Sequence, residues 1–527
     1  MECIRTSFHA GQRGFRVNAT LRRHLEERKR RLLQRIDKRT AAFQSPMIVP
    51  ARADYQLAEK QQAVSCGGIA AMLELIKQVG LRQQINRAVP LFKFHAPYDE
   101  ADHVFNIALN LLAGGTCLDH LELRRNDEAY LNALGAVRIP DPTTAGDFCR
   151  RFSEIQILHL MQAINRARQV VWKQQAPEFF KQATIEADGT MVETRGEKKE
   201  GIGMNYKGQW GYHPLVVTLA ETQEVLYVAN RGGSRPSHED SPFYFDLAIE
   251  QCRKAGFEKI LLRGDTDFAL TENFDRWSAE GVQFVFGFDA NKTMNDIADS
   301  VPKTAWKPLR RQRRTSGKRR ARRPHYKEAI VVEKEYKNFK LRGESYAEFD
   351  YQPLKCGRTY RVVVVRKEID VMYGQQRLFE DPRYFFYISN APRGGTSARQ
   401  IVAGANRRCN QENTISQLKS CGALAAPLDN LVSNWAYMAI ASLAWTLKTW
   451  SGMMIRADDE PARTEELQAV RKRVMTMEWT TFLNSLILIP AQIIRTSRRL
   501  VYRLLTYRPS VDTLLLLHRQ ILRPLRC

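Results

Sequence analysis

The 527 residues contain no cysteine pair at C-x-x-C spacing, no uninterrupted apolar run of transmembrane length, and far fewer acidic than basic side chains. Nine cysteines, an odd number without paired spacing, argue against a disulfide framework and fit reduced thiols. The longest apolar stretch, Phe482 to Ile494, is broken by Asn484, Ser485 and Pro490 and is too short to span a bilayer, so no membrane partner is expected. The opening MECIRTSFHAGQRGFRVN lacks the apolar centre of a secretory signal, which leads to the expectation of a cytoplasmic protein.

What is present is positive charge. The 81 Lys and Arg against 57 Asp and Glu leave +24, with a pI near 9.7, a field that attracts a polyanion through phosphate neutralisation and counterion release. Hydrophobic residues make up 44% of the chain, enough for a large core, so a globular protein of two to four domains is expected.

The first stretch, 1–60, is a basic arm in which LRRHLEERKRRLLQRIDKR has the pattern of a charged helix. Residues 61–178 carry apolar side chains at three- and four-residue spacing, which predicts a helical domain for DNA binding or oligomerisation. Within it Asp141 is placed to cap a helix that Pro142 begins and that ends on Arg150 and Arg151. That helix is a candidate recognition helix, with an ordinary bundle helix as the alternative.

From 179 the period changes. QATIEADGTMVET, YHPLVVTLA and EVLYVAN predict a three-stranded meander, followed by a helix in SPFYFDLAIEQCRKAG, the strand KILLRG, a helix around ENFDRWSAE and the strand VQFVFGF. Strands and then alternating helix and strand over 179–293 predict an α/β fold, a mixed sheet covered by helices. Residues 294–382 break that alternation with the basic run LRRQRRTSGKRRARR and β-rich segments, and are expected to be an insertion. The core resumes over 383–455 with YFFYISN and a helix expected to run from Ser397, in a capping box with Gln400, to a stop at Gly422. The tail, 456–527, places arginines among apolar residues in IIRTSRRLVYRLLTYRP and is expected to be helical.

Asp188 lies near the end of one predicted strand and Asp265 follows another, where side chains at carboxyl ends share a crevice. On the later helix Arg408, Glu412 and Lys419 are four and seven residues apart, so 100° per residue puts all three on one narrow face. Three carboxylates from distant elements beside cations suit divalent metals and a phosphodiester. Asp267 is a rival for Asp265. Glu186 shares a strand face with Asp188 and is expected to hydrogen-bond behind it. His213 and His238 are expected to be ordinary polar residues.

These residues carry a resemblance. EADGT around Asp188, RGDTDF around Asp265 and RRCNQENTISQLK around Glu412, with NYKGQWGYHPLVV and NRGGSRPSHED between them, resemble the transposase DDE domain group 1 family of bacterial insertion sequences, from about Cys66 to Trp450. Arg408, Glu412 and Lys419 also fit the related signature Y-x2-R-x3-E-x6-K, with Ala405 in the tyrosine position. The resemblance implies a ribonuclease H-like core interrupted by a β-rich insertion, in which Asp188, Asp265 and Glu412 are the catalytic acids and hold two Mg²⁺ (or Mn²⁺). It implies DNA as partner, both the element's terminal inverted repeats and a target, and a homodimer or higher oligomer acting at the nucleoid. Arg408 and Lys419 become candidate DNA contacts, with a helix-surface ion pair as the alternative. Arg150, Arg151, Arg310, Arg311, Arg313 and Arg314 are further candidates. Trp306 is similarly placed before the arginine run for stacking on an extruded base, although core packing is preferred for it. A metal-dependent nuclease that cleaves without joining and a non-catalytic DNA-binding relic are the alternative functions.

Overall fold

The computed structural model describes residues 19–40, 62–93, 97–196, 198–310, 337–373, 376–458, 460–496 and 499–526. Arg311, Arg313 and Arg314 lie outside the described residues. The chain divides into two units, one of Met1–Gln175, Gln417–Leu428 and Val432–Cys527, the other of Ala176–Ser416 and Asp429–Leu431.

In the first unit, α1 (Ala19–Thr40) is the charged helix expected of the arm, with Leu25 buried and the Arg28 guanidinium donating to the carbonyl of Leu504. A short strand, β1 (Ala63–Val64), precedes helices α2 (Ile69–Gln78), α3 (Leu81–Ala88), α4 (Glu100–Leu112), α5 (Leu121–Arg125), α6 (Glu128–Leu134), α7 (Pro142–Arg150) and α8 (Glu154–Trp172). Helices α4, α7 and α8 open at capping residues. Asp99 and Asp102 form a capping box on α4, Ser153 and Gln156 another on α8, and Asp141 accepts from the Thr144 amide at 2.7 Å to start α7 as its sequence predicts. Gly68 is needed for close approach, because a Cβ there would lie 1.8 Å from the carbonyl oxygen of Leu486.

The second unit is built on a nine-stranded mixed sheet. Its strands are β2 (Ala183–Gly189), β6 (Leu215–Leu219), β7 (Glu224–Ala229), β8 (Ile260–Gly264), β9 (Gln283–Phe288), β10 (Lys307–Pro308), β11 (Lys337–Tyr351), β12 (Tyr360–Tyr373) and β13 (Gln376–Ser389). A separate three-stranded sheet, β3 (Val192–Glu193), β4 (Gly203–Met204) and β5 (Trp210–Tyr212), follows β2. Across the large sheet the order is β10-β11-β12-β13-β9-β8-β2-β6-β7, with β2, β8 and β9 mutually parallel and the other pairings antiparallel. The expected meander is therefore β2, β6 and β7. The strands after 337 extend the sheet beyond β9.

Between strands lie α9 (Ser241–Ala255), α10 (Phe274–Ala279) and α11 (Lys292–Ser300). Every residue of β2 from Ala183 to Ala187 is buried, as expected for a strand covered on both faces. The acid-bearing helix departs from expectation. It is two helices, α12 (Ala398–Asn406) and α13 (Cys409–Ser420). The cause is local: the amides of Arg407 and Arg408 turn to the i−3 carbonyls of Gly404 and Ala405, at 3.0 and 3.1 Å, and the Asn406 side chain takes the Val402 carbonyl. Gly404 and Asn406 are weak helix formers, so the break falls where propensity is lowest. The capping box of Ser397 and Gln400 forms as predicted, and Gly422, at φ +78°, stands in the left-handed conformation that ends a helix. Apolar residues of α12, Ile401 and Val402 among them, pack on Val285, Val363 and Val365 of the sheet.

The first unit resumes with α14 (Leu431–Met453), buried on all sides from Ser433 onward, then α15 (Pro461–Thr476) and α16 (Trp479–Phe482). The tail segment expected on helical spacing is instead a hairpin, β14 (Ala491–Arg495) with β15 (Leu500–Leu504), before the last helix α17 (Val511–Ile521). Isoleucine, valine and tyrosine favour the strand, and pairing of β14 with β1 supplies ladder bonds that a helix could not use. Among the described residues no helix is long and apolar enough to cross a membrane.

Candidate active site

Register places the first two acids side by side. Glu186 of β2 pairs with Arg263 of the parallel strand β8, so Asp188 and Asp265, each two residues further on, leave the carboxyl ends of adjacent strands on that same face. Glu186 and Arg263 form a buried ion pair, Oε1 to Nε 2.6 Å. Burial pushes the Glu186 carboxyl up to about 7, with the guanidinium opposing. The second arm of Arg263 donates to the Gly404 carbonyl at 2.9 Å, which ties the end of α12 to the sheet behind the acids. On β6 Val216 stands opposite Asp188, and its carbonyl accepts from Nε2 of Gln411 at 3.0 Å, while the Thr218 hydroxyl bonds to the same buried amide. Gln411 precedes Glu412 and so ties the start of α13 to β6, the antiparallel neighbour of the strand that carries the first acid.

The three acids converge on one cation. Nη1 of Arg408 is 3.1 Å from Asp188 and 3.3 Å from Asp265, and Nη2 is 3.3 Å from Glu412. Arg408 stands at the break between α12 and α13. With three carboxylates around one guanidinium, the cluster stays negative when all are ionised. Burial, opposed by Arg408 and reinforced by Asp265 and Glu412, pushes the Asp188 carboxyl up to about 6. Asp265 is raised chiefly by burial as well, and its carboxylate also accepts from the Asp267 amide at 3.1 Å. Asp267 itself points to solvent. Glu412 is the most open of the three, its side chain 62% exposed.

The donor set is all oxygen, which in kind fits a hard divalent cation such as Mg²⁺. In arrangement the oxygens are turned to the guanidinium, and among the described residues no three Asp, Glu, His or Cys side chains are disposed to hold an ion. Beside Asp265 and Arg408 a cavity of about 440 Å³ is walled by Phe288, Tyr384, Phe385 and Tyr387, and Ala405 lines it in the position where the related signature has tyrosine. Gly287 admits the loop after β8: a Cβ there would sit 2.9 Å from the Thr266 amide nitrogen.

Other residues singled out from the sequence fall elsewhere. Lys419 is exposed in the last turn of α13. Arg150 pairs with Asp147 at 2.9 Å and Arg151 lies over the Phe92 ring at 5.3 Å, both in the first unit. Trp306 is half-buried and stacks on Tyr384, centroids 6.1 Å apart. His213 donates through Nδ1 to the Arg235 carbonyl, and His238 is half-buried in the loop before α9. Arg310 is exposed at the edge of the described residues. Sequence reasoning missed Arg263 and Gln411. A buried arginine in a strand of apolar residues is the signal that marked Arg263, whereas nothing in the spacing distinguishes Gln411 from its neighbours.

The chain belongs to a transposase family, the one described as transposase DDE domain group 1, whose sequence profile it matches over residues 58–526. No curated protein sequence matches it. Among solved structures, a piggyBac transposase synaptic complex with hairpin DNA is similar at 10% identity and a TM-score of 0.34, covering 81% of this chain and 84% of that one. At that score the likeness is too weak to bear on the chemistry of this chain.

Proposed function

We propose that this transposase binds the terminal inverted repeats of a bacterial insertion sequence and cleaves and joins DNA at Asp188, Asp265 and Glu412. The observation that carries the reading is the meeting of all three acids at Arg408. It is supported by family membership over residues 58–526. The order of the five strands β7-β6-β2-β8-β9, three antiparallel and then two added in parallel, supports the reading of a ribonuclease H-like core.

Two Mg²⁺ or Mn²⁺ ions, when held by the three carboxylates, would activate the attacking oxygen and stabilise the leaving one. The rest belongs to the chain. Arg408 fills the space between the acids, so it must withdraw before the carboxylates can serve as ligands. A scissile phosphate offers the guanidinium two oxygens for a bidentate grip, which makes phosphate arrival and release of the acids a single exchange. The raised Asp188 carboxyl and the +24 charge support a division in which acids serve chemistry and surface cations serve affinity. DNA is the partner, with the protein acting as a homodimer or higher oligomer at the nucleoid.

The test uses a plasmid carrying the DNA that flanks the coding region. The full chain with Mg²⁺ is expected to cut at inverted repeats in that DNA. Cutting unrelated to those repeats contradicts the proposal.

A further inference from the structure

A second cavity, of about 650 Å³, lies beside the acid cluster and takes no part in holding the acids. Arg310, Arg399 and Arg407 line it, and among the described residues no carboxylate does. All three are exposed, and among the described residues none is ion-paired to an acid. Arg399 donates to the Arg310 carbonyl, which holds the two at one wall. The cavity also opens on Ser397 and the first turn of α12, where the helix dipole adds charge of the same sign. Three guanidiniums left without carboxylates are a site for a polyanion's oxygens, because a planar donor fork matches a phosphate.

Position gives the phosphate its source. Asn406 and Cys409 line both this cavity and the aromatic one that contains Asp265 and Arg408. At the helix break the neighbouring arginines part: Arg408 contacts the acids and Arg407 lines the arginine cavity. A strand with one phosphate at the acids can therefore continue past the aromatic walls and present its next phosphates to the three arginines. We propose that Arg310, Arg399 and Arg407 grip a backbone phosphate of the strand flanking the reacting one and hold it in line with Asp188, Asp265 and Glu412. This rests on the transposase reading. Phosphate contacts of this kind position DNA without reading its sequence.

Cys409, exposed on the shared wall, gives a direct readout. The full chain is mixed with a fluorescein-labelled duplex oligonucleotide bearing a single-stranded thymidine overhang, and alkylation at the Cys409 peptide is followed by mass spectrometry. With DNA at about ten times its Kd, roughly one-tenth of the protein is free and alkylation slows about tenfold. In parallel, anisotropy gives the salt dependence of binding. The Arg399→Ala/Arg407→Ala chain is expected to show a slope shallower by roughly 0.7 to 0.9 for each phosphate no longer neutralised, and Arg399→Lys/Arg407→Lys to restore most of it. If DNA binds while Cys409 reacts at its free rate and the slope is unchanged, the cavity assignment is overturned and the transposase reading stands. If no DNA binds, both fall. Should the alanine chain fail to fold, protection of Cys409 in the unaltered protein decides the matter.

Discussion

Arg408 reaches Asp188 across 220 residues of sequence, Nη1 to carboxylate 3.1 Å, and in doing so takes up oxygens that the chemistry of the site would offer to metal. On the proposed reading a guanidinium and a divalent cation would compete for the same negative cluster. Removing the guanidinium should therefore tighten divalent binding to the DNA-free protein while weakening the grip on DNA.

Arg408→Ala is expected to bind Mn²⁺ more tightly than the unaltered chain by at least about tenfold, a modest share of the roughly 4 kcal/mol that unit charges exchange at 4 Å near a protein surface. Electron paramagnetic resonance of free Mn²⁺ measures it without reference to activity. Equal or weaker affinity in the variant contradicts competition. Cleavage by the same variant is expected to be lost.

Asp188→Ala, Asp265→Ala and Glu412→Ala should each abolish cleavage and leave DNA binding nearly intact, whereas Asp267→Asn should retain activity, since its side chain faces solvent. Gel-shift and cleavage assays on the same preparations separate the two effects. If Asp267→Asn were inactive and Asp265→Ala active, the second acid would be misassigned.

Much of this site was legible because its chemistry recurs at fixed places on regular elements. Asp188 and Asp265 could be placed at strand ends from the period of their flanks, and the capping box at Ser397 from two residues alone. Periodicity did not show that the helix would break at Arg407 and Arg408, although Gly404 and Asn406, both weak helix formers, stand just before the break. Nor could spacing reveal that Glu186 would meet Arg263, a contact set by parallel register between strands some 77 residues apart. In the tail, arginines interleaved with apolar residues satisfied a helical period and a strand period alike, and pairing with β1 decided for the strand.

The Glu186 and Arg263 pair supports the face that presents the acids. Glu186→Gln leaves a buried guanidinium without its counter-charge and is expected to destabilise the second unit by about 3 to 5 kcal/mol. Replacing both with Gln and Met should cost much less than the sum of the single changes, measured by urea unfolding. Additive losses would show that the pair is not coupled.

Lys448, fully buried in α14, donates to the Met475 carbonyl at 2.6 Å and lies 4.4 Å from the centre of the Trp445 ring. Burial pulls its ammonium down to about 7. Between about pH 7 and the usual lysine range the unfolded chain holds a proton that the folded one does not, so stability rises with pH across that window, and the destabilisation is complete once pH has fallen below about 7. The melting temperature should accordingly climb from pH 6 to pH 9, and Lys448→Met should flatten the climb while raising the value at pH 6. A variant that melts lower at pH 6 with the same pH slope contradicts this.

On the proposed function, one carboxylate site both cuts and joins DNA. The most direct measurement of this is strand transfer: the full chain, Mg²⁺, a labelled fragment ending in the inverted repeat of the flanking DNA, and a supercoiled target plasmid. Labelled ends covalently joined to the target are predicted, with Mn²⁺ substituting for Mg²⁺, none formed under thorough chelation, and none from Asp188→Ala. Cleaved ends that never join, or joining that survives chelation or depends on Zn²⁺ alone, would rule out a single metal-dependent site for both steps.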